Sequence, residues 1–302
     1  MNSGNDKPWI DELCRGERLP DSYTAMVLEY VAPLAERIQA LHTFLGRPIV
    51  IGINGAQGSG KSTLALFLAN WLKHEHGISS ASLSLDDLYL GKQARKDLAE
   101  HCHPLLRTRG VPGTHDVALG IKILDALTEQ GSDHIVKLPV FDKATDDLLR
   151  QSEWRSVEVP VDVVLFEGWC VGARPQSDEN IGKAVNVLEE REDADGVWRS
   201  FVNDQLGSDY AKLFERIDAL VMLRIPSYDR VLEWREIQEQ KQRADTGMNP
   251  DELRHFIMHF ERLTRHMLRY LPDCANTVID IDDAHHMAAM THSNWPCGDT
   301  FS

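Results

Sequence analysis

The chain has 302 residues, 42% hydrophobic and 26% charged, a balance that suits a globular protein with one large α/β domain or two small ones. Its 47 acidic and 32 basic residues leave a formal charge of -15, which argues against nucleic acid or an anionic membrane as a partner, since both are met by basic surfaces. Five widely spaced cysteines, Cys14, Cys102, Cys170, Cys274 and Cys297, form no C-x-x-C pair; the start, MNSGNDKPWIDELCRGERLP, lacks a basic region followed by an apolar one, and a cytoplasmic protein is expected.

Residues 22–45 place Met26, Leu28, Val31, Leu34, Ile38 and Leu41 at mostly helical spacing and predict a leading helix within an N-terminal helical extension, 1–46. PIVIGING (48–55) is a short Ile/Val run bounded by Pro and Gly, which predicts a buried strand. KSTLALFLANWLKHEHG (61–77) follows as a helix stopped at Gly77. ISSASLSLDD (78–87) predicts a strand ending in two aspartates, 116–130 a helix, and HIVKLPVF (134–141) a short strand. In VDVVLFEGW (161–169) the apolar residues run without alternation, as in strands covered on both faces. The acidic stretch 175–195 reads as a loop.

IDALVMLRIP (217–226) predicts another strand and SYDRVLEWREIQEQKQRAD (227–245) a charged helix. PDELRHFIMHFERLTRHMLRYLP (250–272) is amphipathic, with Leu253, Phe256, Ile257, Phe260, Leu263, Met267, Leu268 and Leu271 on one stripe. TVIDID (277–282) predicts a last strand, and 284–302 a polar tail without fixed structure. Strands alternating with helices predict an α/β fold with a mostly parallel sheet and helices on both faces. No apolar run approaches the roughly 20 residues that span a bilayer, and no coiled-coil seam is present, so a monomer is expected.

Gly55-x-x-x-x-Gly60-Lys61-Ser62 fits the phosphate-binding P-loop, between a predicted strand and a predicted helix as that motif requires. The segment Gly55, Ala56, Gln57, Gly58, Ser59, Gly60, Lys61, Ser62 and Thr63 would curl backbone N–H groups around phosphate oxygens. Lys61 would reach the terminal phosphates and Ser62 would ligate Mg²⁺. No N-K-x-D guanine signature and no L-S-G-G-Q transporter signature appears.

Ligands of open α/β sheets bind beyond the carboxyl ends of the strands. Asp86-Asp87 and Glu167 stand there, and an acid beside a P-loop binds the metal or accepts the proton of an attacking hydroxyl. Asp87 can equally cap a turn. In RTRGVPGTHD (107–116), Arg107, Arg109, His115 and Asp116 crowd a loop shaped by Gly and Pro, which suits an anionic substrate, although Thr114 or Asp116 can instead cap the next helix. Arg235, Lys241 and Arg243 lie on a helix able to close over a nucleotide or to remain a solvated face. His101 and His103 lack metal-ligand partners at suitable spacing, and DIDDAHH (280–286) reads as a turn rather than a metal site.

The motifs GAQGSGKSTL, LSLDDLYL, RTRGVPGTHD, LPVFDKATDD, VVLFEGWCVGARP and VLEWREIQEQ, with VNDQL, DYAKLF and FERLTRHML, resemble the D-glycerate 3-kinases over roughly residues 47–282. That family belongs to the P-loop superfamily of uridine kinase, phosphoribulokinase and bacterial-type pantothenate kinase. The resemblance implies a P-loop kinase domain over 47–283, with a substrate-side insertion (88–160) and a lid helix (227–248). It implies ATP- and Mg²⁺-dependent phosphorylation of the primary hydroxyl of D-glycerate, with Lys61, Asp86 and Arg235 catalytic and Asp86 the base. Ser62 and Glu167 would hold the metal, and Asp87, Tyr89, Arg107, Arg109, His115 and Asp116 would meet the substrate. Two other readings stay open: a kinase for another small hydroxyl compound, such as a nucleoside or pantothenate, and a nucleotide-dependent switch with no small acceptor.

Overall fold

All seven residues of Ile49–Gly55 are buried, because this strand lies inside a sheet with helices on both faces. The computed structural model describes residues 7–131, 134–231, 233–234 and 249–297. The strands are β1 (Ile49–Gly55), β2 (Ser80–Ser84), β3 (His134–Leu138), β4 (Phe141–Asp142), β5 (Asp147–Leu148), β6 (Arg155–Val159), β7 (Val163–Gly168), β8 (Ala219–Arg224), β9 (Thr277–Ile281) and β10 (Met287–His292). The α-helices are α1 (Pro8–Gly16), α2 (Tyr23–Met26), α3 (Ala32–Leu45), α4 (Lys61–His76), α5 (Lys92–His101), α6 (Val117–Leu127), α7 (Asp178–Ile181), α8 (Val187–Glu192), α9 (Val197–Gly207), α10 (Asp209–Phe214) and α11 (Pro250–Tyr270).

The main sheet runs β10-β9-β8-β1-β7-β2. Five strands are parallel, and β10 pairs antiparallel with β9. Alternation along β1 divides the core. Ile49, Ile51 and Ile53 face the layer of α1, α3 and α4, while Val50 faces the layer of α6, α10 and α11. The first helices therefore share one apolar core with the sheet, through Ile10, Val27, Leu34, Ile38 and Leu41. The expected helix over 22–45 is interrupted by a π-helical turn at Val27–Val31, just ahead of Pro33, whose ring nitrogen has no hydrogen to donate.

Helix α11 forms over the expected stripe and begins with a capping box. The Asn249 side chain accepts from the Glu252 N–H, Glu252 returns a bond to the Asn249 N–H, and Pro250 follows at the first turn. Its apolar side supplies Leu253 and Ile257 to one core layer and Phe260, Leu263 and Met267 to the other.

Three segments depart from the sequence reading. The tail expected over 284–302 contains β10, and Trp295 is buried with its indole N–H donating to Thr277 Oγ1. The acidic stretch 175–195 contains α7 and α8 rather than a plain loop. Glu189 is buried because Arg262 meets both of its carboxylate oxygens, and Asp193 is buried against Arg199. The strand expected over 134–141 ends at Leu138 and pairs with β6 in a separate two-stranded sheet. The expected lid helix lies mostly outside the described residues; its first part buries Tyr228, Val231 and Trp234.

Candidate active site

β1 ends at Gly55, where a Cβ would stand 2.5 Å from Ser59 Oγ, so only glycine lets the loop fold back this tightly. Gly58 and Gly60 take φ of 79° and 94°, a region that penalises any side chain. These constraints turn the loop so that α4 starts at Lys61 with its N-terminal end open, the arrangement that receives phosphate. Ala56 is buried, Thr63 is half-buried, and the Lys61 ammonium donates to the Ala56 carbonyl at 3.1 Å. Burial lowers the Lys61 pKa, while the charges of Glu167 and Asp86 pull it back up.

The residues present fit a nucleotide with a divalent cation. Among the described residues, Gln57 Oε1 and Ser59 Oγ are buried without a hydrogen-bond partner. Ser62 Oγ donates to Glu167 Oε1 at 2.9 Å, so an alcohol and a buried carboxylate, both hard oxygen ligands, meet at the end of β7.

On the neighbouring strand, β2 stops at Ser84 and Leu85–Leu88 forms a 3₁₀ turn, with Ser84 Oγ accepting from the Asp86 N–H. The turn separates the two aspartates. Asp86 Oδ1 accepts from the Tyr89 hydroxyl at 2.7 Å, and Oδ2 lies 2.7 Å from Lys143 Nζ. Burial would raise the Asp86 carboxyl, but Lys143, Tyr89 and Lys61 outweigh it and hold the pKa at about 2. Asp87 turns the other way. Its Oδ1 accepts from the Phe141 N–H, Oδ2 lies 3.8 Å from Arg155, and burial moves its carboxyl upward.

The RTRGVPGTHD loop sits against this turn through a bridge between Tyr89 and His115, whose rings stack at 4.7 Å. Trp169, two residues beyond Glu167, donates its indole N–H to the Gly110 carbonyl at 2.9 Å. Gly110 has φ of 131°, and a Cβ there would meet the Phe260 ring at 2.4 Å. His115 is 5% exposed, and burial lowers its pKa to about 3, so the ring is neutral. Gly113 N–H donates to the Tyr210 hydroxyl, which lies 2.5 Å from His115 Nδ1. If Tyr210 in turn donates to Nδ1, the ring proton is on Nε2, which is buried and has no partner among the described residues.

The expected substrate residues do not all converge. Asp116 caps α6 by accepting from the Leu119 N–H, and the Arg107 side chain is exposed. Arg109 pairs with Asp146 and lies 5.5 Å over the Phe141 ring. Arg235 lies outside the described residues. Four participants escaped the sequence reading. Asn54 is buried and donates to the Trp169 and Val171 carbonyls, Tyr210 holds His115, and Arg95 and Lys143 bind the β4–β5 hairpin to the loop and to Asp86. Tyr210 and Lys143 stood inside quoted motifs, but nothing in their spacing set them apart.

Among the described residues, no cluster of three or more His, Cys, Asp or Glu side chains could hold a metal ion, and no helix is long and apolar enough to cross a membrane. A cavity of about 500 Å³ opens beside the start of α11, lined by Thr108, Asp251, Glu252, His255, Phe256 and His259. It contains neither the P-loop nor Asp86, and its two carboxylates suit a nucleotide poorly.

No family model matches the chain. The protein of Schizosaccharomyces pombe called "Uncharacterized kinase mug58" is 36% identical over 225 residues, 71% of this chain and 79% of that protein. The chloroplastic D-glycerate 3-kinase of Arabidopsis thaliana is 32% identical over 222 residues, 70% of this chain and 46% of that protein. The chain belongs to the D-glycerate 3-kinase family of P-loop kinases. It is accordingly a phosphotransferase with an alcohol group as acceptor. It spans about half the length of the Arabidopsis kinase. A solved D-glycerate 3-kinase from Cryptococcus neoformans has the same fold, with a TM-score of 0.71, 24% identity, and 87% of this chain and 99% of that chain covered.

Proposed function

We propose that the protein, acting as a monomer in a reducing compartment such as the cytoplasm, transfers the terminal phosphoryl group of ATP to the primary hydroxyl of D-glycerate, giving 3-phosphoglycerate and ADP. The observation that carries this reading is the placement of Asp86, within electrostatic reach of the P-loop Lys61 and oriented by both Tyr89 and Lys143. The P-loop amides and Lys61 would hold the phosphates, and Ser62 and Glu167 would hold Mg²⁺, which supplies charge neutralisation at the transferring group.

In the step itself the acceptor oxygen bonds to the γ-phosphorus as the bond from phosphorus to the bridging oxygen breaks, and the hydroxyl proton passes to Asp86. A carboxylate with a pKa near 2 is a weak base, which suits a loose transition state in which the proton leaves late. The Nε2–H of neutral His115 would orient an acceptor oxygen. Asp87 and Asp116 would act by fixing the hairpin and α6.

The test is ADP release with Mg-ATP and D-glycerate, L-glycerate, uridine or pantothenate added separately. Stimulation by D-glycerate alone is expected, with a loss of at least about a hundredfold in Asp86→Asn. Stimulation by uridine or pantothenate instead would move the assignment to another acceptor.

A further inference from the structure

Two cations, Arg109 in the 107–116 loop and Arg155 beside Asp87, are committed to the scaffold. Arg109 is paired with Asp146, which also takes Arg95, and Arg155 donates to the Ser82 carbonyl while facing Asp87. Lys143 instead bonds to Asp86 itself, with its side chain 61% exposed. Its backbone is held on both sides. Asp142 accepts from the Ala144 and Thr145 N–H groups, and Phe141 donates its N–H to Asp87 and sets its ring 5.2 Å from Tyr89. Beyond the turn, Asp146 and Asp147 tie the hairpin to Arg95, Arg109 and the Lys92 N–H.

The reacting hydroxyl of a three-carbon hydroxy acid is roughly 4–5 Å from its carboxylate. With the hydroxyl at Asp86, the carboxylate must lie within a side chain's reach of that aspartate, where a second negative charge is costly unless a cation is shared. We propose that Lys143 is the carboxylate-recognising residue of the acceptor site. It exchanges its bond to Asp86 for the substrate carboxylate as the hydroxyl arrives, and so selects an acidic acceptor over a neutral one of the same shape. An acid both frees the base and binds the ammonium, whereas a neutral acceptor leaves Lys143 on Asp86. This inference rests on the reaction proposed above and names the residue that would choose its substrate class.

The experiment compares kcat/KM for D-glycerate and its neutral amide, D-glyceramide, in the unmodified protein, Lys143→Gln and Lys143→Arg. Lys143→Gln should reduce the preference for acid over amide by about tenfold or more, chiefly through KM for the acid, as expected for a charged hydrogen bond. Lys143→Arg should keep most of the preference. Equal losses on both acceptors would mean that Lys143 serves only to hold Asp86, and an unchanged preference would remove it from recognition; either result overturns the inference while leaving the glycerate reading intact. If the unmodified protein itself fails to favour glycerate, the reading of the acceptor falls and Lys143 falls with it. Because the side chain is mostly exposed, circular dichroism should show both variants folded.

Discussion

His115 illustrates how the site draws on stability. The folded ring stays neutral down to about 3, because burial opposes its charge, whereas an unfolded histidine protonates near pH 6.5. Between those values the unfolded chain binds the extra proton, so stability falls as the pH falls. Between pH 7 and pH 5 this one group should remove about 2 kcal/mol. His259, packed edge-on to the Trp198 ring, is lowered to about 4 and adds in the same direction. Urea unfolding at the two pH values should show this loss, and His115→Gln should flatten it by roughly the His115 share. An unchanged slope in the variant would mean that burial does not oppose the ring's charge and that it binds its proton equally well folded and unfolded. Asp86 behaves oppositely. Its depressed pKa keeps it ionised throughout this range, so it is ready as a proton acceptor at either pH.

Among the elements, the β4–β5 hairpin was the least legible and is the most consequential. Each of its strands is two residues long, too short for any alternation to register, and its anchors are distant in sequence: Asp87, Arg109 and Lys92. The P-loop and β7 were readable for the opposite reason, since glycine spacing and an unbroken apolar run are local signals. Helices α7 and α8 were hidden because an acidic stretch reads as solvated until Arg262, 73 residues from Glu189, is known to neutralise it. Arg95 ties this region together. It is 2% exposed, and its guanidinium donates to the Leu90, Arg107 and Asp146 carbonyls while pairing with the Asp146 carboxylate. Arg95→Ala should cost about 3 kcal/mol in chemical unfolding. Arg95→Lys should recover little, because an ammonium cannot span the three carbonyls. Recovery by lysine would show that charge alone suffices.

For the whole molecule, the strand order places β1 between β7 and β8 and so sets the P-loop between the two layers of helices. A mostly parallel sheet with helices on both faces followed from strand–helix alternation; the strand order did not. Nor did the edge: β10 carries the exposed residues Ala288, Ala289 and Thr291 and reads as tail, yet it covers β9 and brings Trp295 into the core. A chain ending at residue 284 should unfold at a temperature lower by several degrees and associate at high concentration through the bared β9 edge. Differential scanning calorimetry and light scattering would check both effects; an unaltered melting temperature would make β10 dispensable.

The bond from Trp169 to Gly110 has a further consequence. Glu167 and Trp169 are two residues apart at the end of one strand, so the carboxylate proposed to hold the metal and the anchor of the loop proposed to meet the acceptor are set by a single ruler. Neither can be moved outward without dragging the other. If the loop and Lys143 have the proposed roles, a lineage of such kinases that changes the size or charge of its acceptor has little freedom in the RTRGVPGTHD loop and would change the hairpin that carries Lys143. Grafting hairpins between relatives, rather than loops, is the route by which this scaffold would be retuned.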